Sequence, residues 1–160
     1  VSTQAAPVIV RIVRTASFSS AHRYFDQSLS ATENREAFGS WYREKGFGHN
    51  FRIEAHFEGE VSALTGMIVN LVHVDRWLNA VTEQLDHRHL NELEIFAGKA
   101  PTPERIASFC FSELVSQMKL TPASGESGNA TLVKVRLYEG ESLWVDCLTS
   151  NRSVSAPESS

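Results

Sequence analysis

Residues 46–58 read Gly46-Phe47-Gly48-His49-Asn50-Phe51-Arg52-Ile53-Glu54-Ala55-His56-Phe57-Glu58, and no other stretch constrains the fold as strongly. Phe47, Phe51, Ile53, Ala55 and Phe57 alternate with Asn50, Arg52, Glu54, His56 and Glu58. Period-two alternation marks a strand with one face in a core and one in water, because successive side chains leave a strand in opposite directions. Gly59 is expected to break the pattern. His49 alone departs from the apolar row, placing an imidazole on the inward face. A buried imidazole needs a hydrogen bond, a metal or a ligand. His56 has the opposite parity and is expected to face outward.

The remaining patterns supply the partners of this strand. Val8 to Phe18 is a β-branched run that leads into the polar segment Ser19-Ser20-Ala21-His22-Arg23, and it reads as a first strand. Ser30 and Glu33 form a capping box for a short helix over Ala31–Phe38, with Gly39 as its stop. Val74, Trp77, Leu78, Val81 and Leu85 share one helical face. Thr102-Pro103-Glu104 supplies an N-cap, a first-turn proline and an acid suited to the dipole of a third helix. Its buried face is Ile106, Phe109, Cys110 and Leu114. After a Gly/Ser-rich loop at 124–129 come two strands joined at Gly140-Glu141. In the first of them Thr131, Val133, Val135, Leu137 and Glu139 share one face. The fold class is α+β, an antiparallel sheet with helices on one face.

With 160 residues the chain has room for one domain, placed at 8–148 with flexible tails at 1–7 and 149–160. A formal charge of −4 and the lack of a basic patch argue against nucleic-acid binding. No apolar run is long enough to span a bilayer, and the N-terminal segment has no signal-peptide pattern. Cys110 and Cys147 lie among apolar neighbours and read as buried small hydrophobes. A cytoplasmic location is the expectation.

Three groups of residues carry possible chemistry. His49 points inward from its strand and His22 follows a strand where the chain turns polar, and a catalytic zinc takes three protein ligands plus water. Asp86-His87, after the second helix, pairs a carboxylate with an imidazole and suits acid/base work. Glu139 ends an otherwise apolar row, where a carboxylate can grip a pair of N–H donors.

Taken in order, Phe18-Ser19-Ser20-Ala21-His22-Arg23, Gly46-Phe47-Gly48-His49-Asn50-Phe51, Thr65-Gly66-Met67-Ile68-Val69-Asn70-Leu71, Leu85-Asp86-His87-Arg88-His89-Leu90-Asn91, Thr102-Pro103-Glu104 and Tyr138-Glu139 resemble the 6-pyruvoyl-tetrahydropterin synthase family. That family includes the 6-carboxy-tetrahydropterin synthases. The resemblance implies a tunnelling fold (T-fold): a four-stranded antiparallel sheet backed by two helices, closed into an oligomeric barrel as a trimer or hexamer, with active sites between subunits. It implies that His22 and His49 are two of three zinc histidines and that Asp86 and His87 are a proton relay. It also implies that Glu139 anchors a pterin and that Thr102 and Glu104 border its pocket.

Two departures stand against that pattern. Phe47 occupies the place of the third zinc histidine, and Trp41 that of the catalytic cysteine. Neither can coordinate a metal or relay a proton, so the zinc site is read as incomplete and no cofactor is expected. Both replacements are large aromatics, suited to walling a pocket for a flat small molecule. The expectation is a zinc-independent lyase or cyclase acting by acid/base catalysis on a planar substrate, in a homo-oligomer without nucleic-acid or membrane partners. One alternative is a pyruvoyl- or carboxy-tetrahydropterin synthase acting on dihydroneopterin triphosphate. Glu36, Arg43 or Glu44 would then serve as base, and His73 or Glu54 as ligand. A second alternative is a non-catalytic pterin-binding or assembly subunit.

Overall fold

The computed structural model describes residues 8–120 and 130–149. The expected N-terminal tail, the loop at 124–129 and the C-terminal tail beyond Thr149 lie outside the described residues. Strand β1 (Ile9–His22) pairs antiparallel with β2 (Phe47–Glu60) along its whole length, from Ile9 opposite Glu60 to His22 opposite Phe47. Gly59 therefore does not end β2; it lies inside the ladder opposite Val10. Helix α1 (Ala31–Phe38) lies between β1 and β2, and α2 (Leu71–Thr82), strand β3 (Arg88–His89), helix α3 (Pro103–Leu120) and strands β4 (Thr131–Glu139) and β5 (Leu143–Leu148) follow.

Among the described residues the sheet has five strands in the order β3-β1-β2-β4-β5, not the expected four. The additional strand is two residues long and parallel, with Arg88 opposite Ser20 and His89 opposite Ala21. A segment of that length carries no periodicity from which to read a strand. Closure into a barrel is not a property of this single chain, whose sheet is open.

The core forms where the inward rows of β2 and β4 meet α2 and α3. Phe51, Ile53, Ala55 and Phe57 pack with Val135 and Leu137 from β4, with Val74, Trp77, Leu78 and Val81 from α2, and with Ile106, Ala107, Cys110 and Leu114 from α3. Helix α2 ends at Thr82, one turn earlier than the apolar spacing suggested, yet Leu85 is fully buried. On α3, Ala107 takes the fully buried place expected of Phe109, which is half-buried at the edge of the core. Burial pushes the Cys110 thiol up to about 12, so it is inert; Cys147 is half-buried.

The expected face of β4 needs one correction. Lys134 lies opposite His56, but Leu132 lies opposite Phe57, so Val133 is an extra residue in the ladder. Such a bulge moves every residue on one side of it to the other face. Leu132 is therefore buried, and Thr131 and Val133 leave the row that holds Val135, Leu137 and Glu139. His56 does share the outward face with Glu54, whose Oε2 lies 3.4 Å from its Nε2, but it is only 7% exposed.

The connection between β1 and β2 is tied down by side-chain hydrogen bonds. Ser30 Oγ accepts from the Glu33 N–H, and the Glu33 carboxylate accepts from the Ser30 N–H, the expected capping box. Buried Asn34 donates to the carbonyls of Asp26, Leu29 and Ser30 and accepts from the Asp26 N–H. Asp26 is held by hydrogen bonds from Ser28 and Lys99, which lower its pKa to about 2. A carboxyl whose folded-state pKa is depressed adds stability above its ordinary value near 4, and that stability is lost as pH falls through the folded-state value. Asp26→Asn is accordingly expected to lower the thermal midpoint at pH 5–7, with the gap to wild type closing between pH 4 and pH 2. A gap that stays constant down to pH 2 would mean that this carboxylate does not anchor the loop.

Candidate active site

His22 ends β1 and His49 lies two residues into β2, both with inward parity, so the register that sets Ser20 opposite His49 brings the two imidazoles together. Their ring centroids are 5.3 Å apart. Glu139 arrives from the other side, because β4 places it opposite Phe51. Its Oε1 lies 3.0 Å from His49 Nε2 and 3.6 Å from His22 Nε2. His22 and Glu139 are buried, while the His49 side chain is 25% exposed and opens the cluster to solvent.

The tautomer of His22 is set by its second nitrogen. Nδ1 lies 2.9 Å from the Pro101 carbonyl oxygen, which can only accept, so Nδ1 carries a proton, and in that tautomer Nε2 turns a lone pair into the site. Burial lowers the pKa of His49 against the raising effect of Glu139, and His22 lowers it further. Although close to Glu139 Oε1, His49 Nε2 has no hydrogen-bonding partner among the described residues, and the same holds for His22 Nε2 and Glu139 Oε2. One ligand atom from each of the three residues lies within 4.8 Å of the others. The cluster is thus two histidines and a glutamate in place of three histidines, an altered metal site.

Aromatic rings wall the cluster. Phe47 stacks near His49, with centroids 5.8 Å apart, and Trp41 lies 5.7 Å from Phe47. Tyr24, which the sequence reading passed over, lies 5.5 Å from His22, 6.0 Å from Trp41 and 5.8 Å from Phe38. It lies two residues past the end of β1, where no strand pattern marks it. Burial and the charges of Glu139 and Glu104 push the Tyr24 phenol up to about 12, so it stays a neutral O–H donor. Trp41 is 54% exposed and forms an outer rim. Thr102 is half-buried beside Pro101, and Glu104 is exposed.

Asp86 and His87 do not join this cluster. Asp86 Oδ1 accepts from the Ser19 N–H at 2.8 Å, and the His87 N–H donates to the Ser19 carbonyl at 2.7 Å. This clamp holds His87 at φ 55°, the one non-glycine residue with positive φ among those described. Strained backbone of this kind persists only where the surroundings over-determine it. The His87 imidazole is 84% exposed, with Nε2 3.5 Å from Asp86 Oδ2. It lines a groove of about 520 Å³ with Ser19, Ser20, Gly48, Asn50 and His49 of the cluster.

The proposed substitute ligands are not at the cluster either. Glu54 lies on the outward face beside His56, and His73 stacks on Trp77 of α2. Arg43 lies over the Phe47 ring at 5.4 Å; a guanidinium keeps its proton and cannot act as a base. Glu36 and Glu44 are exposed.

The family model described as 6-pyruvoyl tetrahydropterin synthase matches residues 11–149. A Caenorhabditis elegans protein described as a putative 6-pyruvoyl tetrahydrobiopterin synthase is 36% identical over 132 residues, covering 82% of this chain and 89% of that protein. The human 6-pyruvoyl tetrahydrobiopterin synthase is 31% identical over 131 residues, covering 81% and 84%. The structure of Caenorhabditis elegans 6-pyruvoyl tetrahydropterin synthase aligns with a TM-score of 0.78 at 32% identity, over 90% of this chain and 98% of that one. Among the described residues, no helix is long and apolar enough to cross a membrane.

Proposed function

The chain belongs to the 6-pyruvoyl tetrahydropterin synthase family, and from that premise we propose that it is a pterin-transforming enzyme that converts dihydroneopterin triphosphate. The observation that carries this reading is the buried Glu139 carboxylate, set beside His22 and His49, whose rings neighbour Tyr24 and Phe47, with Oε2 lacking a partner among the described residues. A carboxylate oxygen in that state suits the amino and ring N–H donors of a pterin, and stacking against Trp41 and Phe47 suits its flat ring.

Removing triphosphate with tautomerisation needs one group to take a carbon-bound proton and another to return it. Tyr24, neutral and beside Glu139, serves as a donor. Asp86 and His87, exposed in the groove that His49 also lines, serve as acid/base and act on the cluster of a neighbouring subunit in a barrel-forming homo-oligomer. Where the family holds zinc, His22 and His49 remain. A metal held there would polarise a substrate oxygen. Glu36 and Glu44, on the connection between β1 and β2, are the acids available to take the place of the lost cysteine.

A second reading is favoured by Phe47 and Trp41 themselves. Two aromatics in place of a ligand and a nucleophilic cysteine suit a lyase or cyclase for another planar substrate. Incubation with dihydroneopterin triphosphate, followed by mass spectrometry of the products, separates the two. Release of triphosphate with a modified pterin side chain is the expected result. Tight pterin binding without turnover would favour a binding subunit, and neither binding nor turnover would favour the redirected enzyme.

A further inference from the structure

We propose that Glu139 is a metal ligand, completing a two-histidine, one-carboxylate site for a divalent first-row transition metal with His22 and His49. The proposal rests on reading this pocket as the active site, and it reassigns the residue that the family resemblance gives to the pterin alone.

The convergence of acceptors is the first argument. His22 turns an Nε2 lone pair inward because Nδ1 is committed to Pro101 O. Glu139 Oε1 is an acceptor 3.6 Å from that nitrogen and 3.0 Å from His49 Nε2. A proton on His49 Nε2 does not resolve the contact, since that nitrogen lacks hydrogen-bond alignment despite the short distance. Lone pairs that face one another in a buried space call for a positive charge between them.

The second argument is the spacing. Donors about 2.0–2.2 Å from a tetrahedral ion lie about 3.3 Å from each other, and the two observed nitrogen–oxygen separations fall on either side of that value. Third, the support beyond the ligands is in place. A histidine ligand characteristically donates its other ring N–H to a carbonyl or carboxylate, as His22 does to Pro101. Two imidazoles and a carboxylate on one side of an ion are a donor set used for catalytic zinc and non-haem iron. Phe47, where a third imidazole is missing, lies 5.8 Å from His49 and 6.4 Å from His22 with a ring that cannot bind. Glu139 Oε2 stays free for an N–H donor of the bound ligand, so one carboxylate serves both.

Titration of chelator-stripped protein with Zn²⁺ and with Co²⁺, read by calorimetry and by the visible absorption of cobalt, tests the assignment without any pterin. Wild type is expected to bind one ion per chain. The near-isosteric Glu139→Gln variant is expected to bind at least about 100-fold more weakly. The double variant Phe47→His with Glu139→Gln restores a third nitrogen and is expected to recover binding to within about tenfold of wild type. Wild type that fails to bind, or Glu139→Gln that binds as wild type does, overturns the proposal. Since no substrate is present, a failed turnover assay leaves this result standing, and a failed titration leaves the pterin reading to its own assay.

Discussion

Replacing His87 by alanine is expected to lower turnover of dihydroneopterin triphosphate by about 10²–10⁴-fold, the usual contribution of a positioned acid/base, with little change in stability. The small stability effect follows from exposure. The imidazole is 84% exposed, and the clamp to Ser19 uses the His87 backbone N–H and the Asp86 side chain, which the substitution leaves in place. The geometry adds a sharper expectation. The exposed His87 imidazole lines one groove with His49, whereas Glu139 and His22 are buried beside His49. If each site takes its relay from one subunit and its cluster from the next, His87→Ala and Glu139→Gln should each be inactive alone. Co-assembled in equal amounts, they should regain activity at about a quarter of the sites, because random pairing joins two intact halves that often. Undiminished turnover in His87→Ala would remove His87 from the mechanism. Inactive mixtures of two well-folded variants would place relay and cluster in the same chain.

What could be read from the sequence, and what could not, follows the range of the interactions. The inward parity of His49, the start of α3 at Pro103 and the Ser30–Glu33 capping box depend on neighbours a few residues away, and each was legible in advance. The bulge at Val133 was not, because it depends on how β4 registers against β2, and only the burial of Leu132 reveals it. The site divides in the same way. His22, His49 and Glu139 were each identified singly, but spacing along a chain says nothing about a 3.0 Å approach between residues 49 and 139. The zinc site is incomplete as read, with two histidines and no third, but that the Glu139 carboxylate stands beside both imidazoles was not legible. Tyr24 was missed because a tyrosine two residues past a strand end has no pattern of its own; its role comes from burial beside Glu139 and Trp41.

The position that holds this geometry together is Gly46, and its replacement by alanine is expected to destabilise the protein by about 3 kcal/mol or more. Gly46 has φ 72°, a left-handed conformation that costs an L-residue about 1–2 kcal/mol. A Cβ there would also lie 2.4 Å from the carbonyl oxygen of His22 and 3.0 Å from its carbon, backbone atoms that cannot swing aside. The chain can accommodate the methyl group only by moving the start of β2 away from the end of β1, which separates His49 from His22. Gly140 provides the control, since it has φ 68° and nothing within 4 Å of an added Cβ, so Gly140→Ala should show the conformational penalty alone. Denaturant unfolding of both variants, together with Co²⁺ titration of each, measures the difference. Gly46→Ala should lose more stability than Gly140→Ala and should also lose metal affinity, while Gly140→Ala keeps it. Equal losses of stability with equal metal binding would mean that the close approach of the two strand ends does not set the spacing of the imidazoles.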